Sequence, residues 1–191
     1  GLIPSAAAES QDVQLRCIAF YNLENVFDTI HDEGKNDYEY LPDGGMKWTS
    51  LKYTNKIQNM AYAIAQLGTD EDPRGAAIVG VSEVENIGCL HDLCKELKEK
   101  HNRNYVPILL EGPDRRGIDV GLLYNPDMFK PVGQPKGYEL KAHYADGGVV
   151  RSRLQLWVSG YLLDDNRKIV MDKIHVSVNH WPSRSGGEES S

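Results

Sequence analysis

The chain has 191 residues, with 21 Lys and Arg against 28 Asp and Glu, a formal net charge of −7. That length allows one domain with a real core, and 40 % apolar with 26 % charged residues is the composition of an ordinary globular protein. The acidic balance argues against a passive nucleic-acid binder, which carries a basic face, but leaves room for an enzyme that meets phosphate through a metal ion. No apolar stretch is long enough to span a bilayer, and no charged-then-apolar signal peptide is visible. Cys17, Cys89 and Cys94 fit neither a disulfide framework nor a zinc site.

Residues 1–12 are small and polar and are expected to form a flexible leader. Residues 13–20 alternate apolar with polar or small side chains and predict a strand, with Cys17 as a small core residue and Asn22 just past the end. Residues 31–48, rich in Asp, Gly, Asn and Pro, predict a long surface loop. Thr49 or Ser50 can cap a helix over 51–67, where Ile57, Met60, Ala61, Ile64 and Leu67 recur at helical spacing and Gly68 stops it.

After the turn Asp72-Pro73-Arg74-Gly75, the run from Ala76 to Ser82 predicts a buried strand that breaks off at Glu83. A carboxylate at the end of a core strand is costly unless something positive pairs with it. In α/β sheets the carboxyl ends of strands are also where ligands sit. A second helix is predicted over 90–100, with a Lys-rich last turn that suits the negative end of the helix dipole. Strands are expected at 105–110, 118–124, 149–163 and 168–178, with weaker ones at 129–132 and 138–140. Asp164-Asp165-Asn166 turns the chain between the last two long strands, and Asn179-His180 follows. Strands outnumber helices and late strands are joined by short turns, so the fold class is mixed α/β in layers, not a doubly wound parallel sheet.

Asn22, Glu83 and the pair Asn179-His180 each follow an apolar strand directly. If those strands lie side by side, an amide, a carboxylate and an imidazole converge on one rim around a divalent ion, which suits phosphoester hydrolysis. An oxygen-rich shell with few ligands suits Mg2+ or Mn2+ better than zinc. Plainer readings exist for each alone: Asn22 as a turn former, Glu83 as the first turn of the next helix, His180 as a structural residue beside Pro182. Together and in order they favour a site.

Five ordered blocks carry a resemblance: Phe20-Tyr21-Asn22-Leu23-Glu24-Asn25-Val26-Phe27-Asp28; Leu41-Pro42-Asp43-Gly44 with Trp48-Thr49; Val79-Gly80-Val81-Ser82-Glu83-Val84-Glu85-Asn86; Arg116-Gly117-Ile118-Asp119-Val120-Gly121-Leu122-Leu123-Tyr124; and Val178-Asn179-His180-Trp181-Pro182-Ser183-Arg184. From about Val13 onward the chain resembles the endonuclease/exonuclease/phosphatase superfamily, the DNase I-like fold, and most of all its bacterial extracellular-type branch. The resemblance implies a four-layer α/β/β/α sandwich and a metal-dependent phosphodiesterase, with nucleic acid as the first substrate class and a lipid or small-molecule phosphoester as the alternative. It implies that Asn22 helps hold metal and phosphate, that Glu83 is the principal metal ligand, and that His180 contacts the scissile phosphate or steadies the leaving oxygen. Arg151 and Asn179 are expected to bind substrate. Arg116 and Asp119 lie in a block whose role is partly structural. A secreted or periplasmic location is the family's weak implication.

The family continues with a Gly-Asp-x-Asn segment and a late Asp-His pair that supplies the base for water. This sequence contains neither, and Asp28, Asp119 and Asp172 stand in the wrong contexts to replace them. Residues 13–191 are therefore expected to be the amino-terminal portion of one such domain, with an inner sheet face left uncovered unless the remaining segment, in this or another chain, supplies its partner. A non-catalytic fragment that binds a partner through its open sheet is the reading from a different class.

Overall fold

The computed structural model describes residues 14–26, 49–110, 119–143 and 145–180. The expected leader, the 31–48 loop, Asp28, Arg116 and everything after His180 lie outside the described residues. One four-stranded sheet, sheet A, holds β1 (Ile18–Val26), β2 (Ile78–Val84), β3 (Val106–Leu110) and β4 (Asp119–Tyr124) in the order β1-β2-β4-β3. β1 and β2 are parallel, because the helix α1 (Ser50–Gln66) crosses between them; the other pairs are antiparallel. A second helix, α2 (Ile87–His101), packs beside α1.

Sheet B is built antiparallel around the long strand β7 (Val149–Leu162), with β5 (Phe129–Pro131), β6 (Lys136–His143) and β8 (Ile174–Val178). Gly160 pairs with Pro131 and with Ile174, and Trp157 with Lys136 and with Ser177. A residue has one neighbour on each side, so β5 and β6 share one edge of β7 and β8 takes the other.

Alternation along β2 divides the core. Val79 and Val81 pack against Ile64 and Ala61 of α1 and Leu90 and Leu93 of α2, whereas Ile78 belongs to a second cluster with Leu122, Phe129, Leu156 and Val178 between the sheets. Fully burying one such side chain is worth about 1.5–3 kcal/mol, so a one-residue slip of β2 would forfeit several at once. The described layers run α/β/β, in keeping with the mixed layered fold that the sequence predicts. Gly80 faces sheet B, and a Cβ there would sit 3.1 Å from Val178 Cγ2. Its lack of a side chain lets β8 settle close over β2. β1 is not covered in this way: Ile18 and Phe20, on its inner face, remain 48 % and 52 % exposed.

Of the two residues expected to cap α1, Thr49 does so, its hydroxyl accepting from Lys52 N–H at 3.2 Å. Other element boundaries differ from expectation: β1 runs Ile18–Val26 and not 13–20, so Asn22 lies within the strand, paired with Ser82, and not past its end. α2 begins at Ile87 because Asn86 caps it, its Oδ1 accepting from Cys89 N–H at 3.1 Å; Glu83 is therefore not part of the helix's first turn. β8 spans only Ile174–Val178: the Asp164 carboxylate takes the N–H groups of Asn166 and Lys168 at 2.8 Å each in a turn that closes on one bridge, Leu163 to Ile169, after which the chain leaves β7 until Ile174, with Ile169, Val170 and Met171 exposed. No helix among the described residues is long and apolar enough to cross a membrane.

At the pole away from the carboxyl end of β2, charged side chains tie the sheets together. Arg16 donates from Nε to the Leu163 carbonyl at 3.0 Å and from a terminal nitrogen to Asp165 at 2.9 Å, while Arg74 bonds Asp72 at 2.8 Å and Asp165 at 2.9 Å.

Candidate functional site

The site is built on an irregularity in β2. Ser82 pairs with Asn22 on β1 and Val120 on β4, but the next paired residue is Val84, opposite Val26 and Asp119. Against β4, where Val120 and Asp119 are consecutive, Glu83 is an extra residue, a bulge; against β1 the surplus is on the other strand, where Leu23, Glu24 and Asn25 stand opposite Glu83 alone. The φ of Glu83, +62°, lies in the left-handed region. By simple alternation the third helix-facing place after Val79 and Val81 would fall to residue 83. The bulge gives that place to Val84, which is buried against the helices, and turns the Glu83 carboxylate out of the alternation. Holding a non-glycine residue there costs on the order of 1–3 kcal/mol, a strain of the kind found at functional sites.

The carboxylate so released meets sheet B. His180 Nε2 lies 3.3 Å from Glu83 Oε1, and the two side chains are 13 % and 15 % exposed. His180 follows β8 by two residues and shares the inward side of Val178, the residue seated over Gly80. The close approach at Gly80 and the bulge at Glu83 therefore act together: one sets the spacing of the sheets, the other aims the acid.

Asn22 stands on β1 beside Ser82, at the same rim. Its Oδ1 accepts the Glu24 N–H at 2.8 Å, and Glu24 has a φ of +55°. This local turn fixes the orientation of the amide, and the oxygen's second lone pair and the NH2 group are not used by that bond. The structure thus brings Glu83 and His180 into contact, with Asn22 on the neighbouring strand.

Two further expected residues are placed differently. Arg151 lies on β7 beyond Leu156, the partner of Val178, on the stretch that runs past the end of β8 to the same rim; its side chain is outside the described set. Asn179 turns to the outer face of sheet B, away from Val178. There its Oδ1 accepts from Gln155 Nε2 and its Nδ2 donates to Ser177 Oγ at 3.3 Å.

Two residues escaped the sequence reading. Ser82 is wholly buried beneath the rim, and its Oγ has no hydrogen-bond partner among the described residues. Gln155 holds Asn179 on one side and accepts from Trp157 Nε1 at 2.7 Å on the other. A serine at the end of an apolar run and a glutamine in an alternating strand carry no local signal.

The donor chemistry fits a hard divalent ion. A partly buried carboxylate and an amide oxygen are both oxygen donors, the kind that Mg2+ and Mn2+ take. Among the described residues there is no group of three His, Cys, Asp or Glu that could hold a metal.

Residues 17–191 match the family described as endonuclease/exonuclease/phosphatase. Among solved structures, the chain is similar to a conserved protein of unknown function from Enterococcus faecalis V583, with 15 % identity, 85 % of this chain and 52 % of that chain covered, and a TM-score of 0.48. It is similar to an endonuclease/exonuclease/phosphatase from Bacteroides vulgatus, with 18 % identity, 75 % and 45 % covered, and a TM-score of 0.43. It is also similar to a mannosyl-6-phosphatase from Bacteroides thetaiotaomicron VPI-5482, with 15 % identity, 78 % and 46 % covered, and a TM-score of 0.42. The chain therefore spans about half the length of these structures. No curated protein sequence matches it.

Proposed function

The chain belongs to the endonuclease/exonuclease/phosphatase family, and on that premise we propose that it carries part of the site of a phosphodiesterase dependent on Mg2+ or Mn2+, with nucleic acid as the first substrate class. Glu83 and Asn22 hold the ion. The bound ion supplies Lewis acidity and a template for in-line displacement. Glu83 is aimed for this by its bulge, and Asn22 by the turn it makes with Glu24.

His180 brings an imidazole from the opposite sheet to within 3.3 Å of that carboxylate. In this reading its N–H meets a phosphate oxygen seated over Glu83, while the Asn22 NH2 meets the same group from β1. Arg151 adds positive charge from the rim of β7. The base for the attacking water is assigned to the Asp-His pair that the family resemblance implies, in the whole protein. With a net charge of −7, substrate is held chiefly through the metal and these few groups, not by a long basic groove.

The observation that carries the reading is the Glu83–His180 contact: a strained acid on one sheet and an imidazole on the other, meeting at one rim. The test is supercoiled-plasmid nicking by the whole protein with Mg2+, with Mn2+, with chelator, and with Glu83→Gln. Metal-dependent nicking that chelator and the substitution both abolish is expected. Nicking that survives either treatment would remove Glu83 as a metal ligand. Turnover of a phosphomonoester with no nicking would replace the nuclease reading with a phosphatase one.

A further inference from the structure

On the outer face of sheet B, a run of side-chain hydrogen bonds leads to the residue before His180. The Trp157 indole N–H donates to Gln155 Oε1 at 2.7 Å. An indole N–H can only donate, so this bond settles which end of the Gln155 amide is which. The Gln155 NH2 must then face Asn179, and it donates to Asn179 Oδ1. That leaves Asn179 Nδ2 for Ser177 Oγ, at 3.3 Å. Each of the three bonds joins a donor to an acceptor, and the run has one direction, fixed at its start by the tryptophan.

These residues are out of reach of the carboxylate themselves. Gln155 and Trp157 alternate with the inward-facing Leu156 and Val158, and Asn179 follows the inward-facing Val178. Asn179 is nonetheless the last link before His180, at a point where regular β8 pairing has ended at Val178. Past the ladder, a side-chain bond can hold the backbone where strand pairing no longer does. The Gln155–Asn179 bond ties that first unpaired residue back to β7.

We propose that Gln155 and Asn179 are positioning residues for His180: oriented by Trp157, they clamp the end of β8 so that the imidazole is held against Glu83. This rests on the phosphodiesterase reading for its kinetic consequence, but the clamp itself can be measured without turnover. It also gives Asn179 a role distinct from contact with the phosphate, and the two roles make opposite predictions for one conservative change. Asn179→Asp keeps an oxygen for the Gln155 NH2 to bond, so a clamp survives it. A direct phosphate contact would not, because a carboxylate would face an anion in place of an NH2 donor.

The experiment compares Gln155→Leu, Asn179→Leu and Asn179→Asp with the parent, each checked for folding by circular dichroism. The ring cross-peaks of His180 are recorded at one pH without metal, and kcat and KM with it. Both leucine variants are expected to shift the His180 ring signals and lower kcat about tenfold or more, with KM little changed. Asn179→Asp is expected to retain the parent's ring signals and most of kcat. Loss of binding in Asn179→Asp as large as in Asn179→Leu, seen as a raised KM, would overturn the proposal in favour of phosphate contact. Unchanged ring signals in Gln155→Leu would overturn it outright. Shifted ring signals in a protein with no phosphoesterase activity would uphold the clamp and sink the functional reading instead.

Discussion

Glu83 and His180 come within 3.3 Å of each other although they sit on different sheets, and Glu83 does so from a backbone conformation that few glutamates adopt, with φ at +62°. In an ordinary strand, glycine is about 0.5–1 kcal/mol less stable than alanine, because it loses more freedom on folding. At a left-handed position the preference reverses, since alanine keeps the steric cost of a Cβ and glycine does not. Glu83→Gly is therefore expected to be more stable than Glu83→Ala by about 1 kcal/mol, with both inactive. Urea denaturation of the pair checks this. If alanine is the more stable, the bulge is not strained and the acid is aimed by something else.

Gly80 makes the same contact possible from beneath. A methyl group there would lie 3.1 Å from Val178 Cγ2 and 3.3 Å from Phe20 Cδ2, so β8 would have to lift by a few tenths of an ångström. Gly80→Ala is expected to cost about 1 kcal/mol of stability. Because the lift carries His180 away from Glu83, kcat should fall by more than that small loss would suggest. The measurement is kcat at saturating substrate and a temperature well below Tm. Unchanged turnover would show that the spacing of the sheets at Gly80 does not set the site.

Much of this was legible in the sequence, and what was not has a physical cause. Strand β2 announces itself by an apolar run that ends in an acid, and α1 by apolar residues at helical spacing. Asn22, Glu83 and His180 could be picked out because each interrupts such a pattern. The bulge could not, because nothing in a glutamate's chemistry marks a left-handed φ; it belongs to the one-residue mismatch between β2 and β4. Gln155 was hidden for a different reason: a polar residue in an alternating strand is the normal sign of a solvated face, and its partner Asn179 is 24 residues away. The apolar residues 169–171 misled in the other direction. They read as strand, but after the single bridge from Ile169 to Leu163 the returning chain leaves β7 and rejoins it only at Ile174.

Asn86 offers a test of folding separate from chemistry. Its side chain caps α2 by accepting from Cys89 N–H at 3.1 Å, directly after the segment that carries Glu83. Asn86→Ala is expected to cost about 1 kcal/mol. Metal-dependent turnover below the transition should stay within about twofold of the parent, since the bulge is a mismatch between β2 and β4 and not part of the helix. A large loss of turnover in a protein that still melts cooperatively would tie the helix start to the aim of Glu83.

The charged knot at the opposite pole makes stability depend on pH in a definable direction. Asp72 has a nearly buried side chain, 8 % exposed, and accepts from Arg74 at its backbone N–H, at Nε and at a terminal nitrogen, between 2.8 and 3.0 Å. The Arg74 hydrogen bonds, opposed in part by burial and helped by the charge of Arg16, hold its carboxyl below the ordinary value of 3.8. A group whose acidity is strengthened by folding stabilises the folded state fully above its unfolded value, and loses that contribution as pH falls through the folded one. Asp72→Asn should thus cost about 2 kcal/mol near neutral pH, the scale of hydrogen bonds to a charged group. The cost should shrink as both proteins are taken down from neutral pH through the ordinary value of 3.8 and on below the depressed value of the folded carboxyl, where the parent is protonated too. Urea midpoints of the two proteins across that range give the answer. A difference that does not change with pH would mean that Asp72 acts through shape and not through its charge, and that the link between β1, β2 and the end of β7 is not electrostatic.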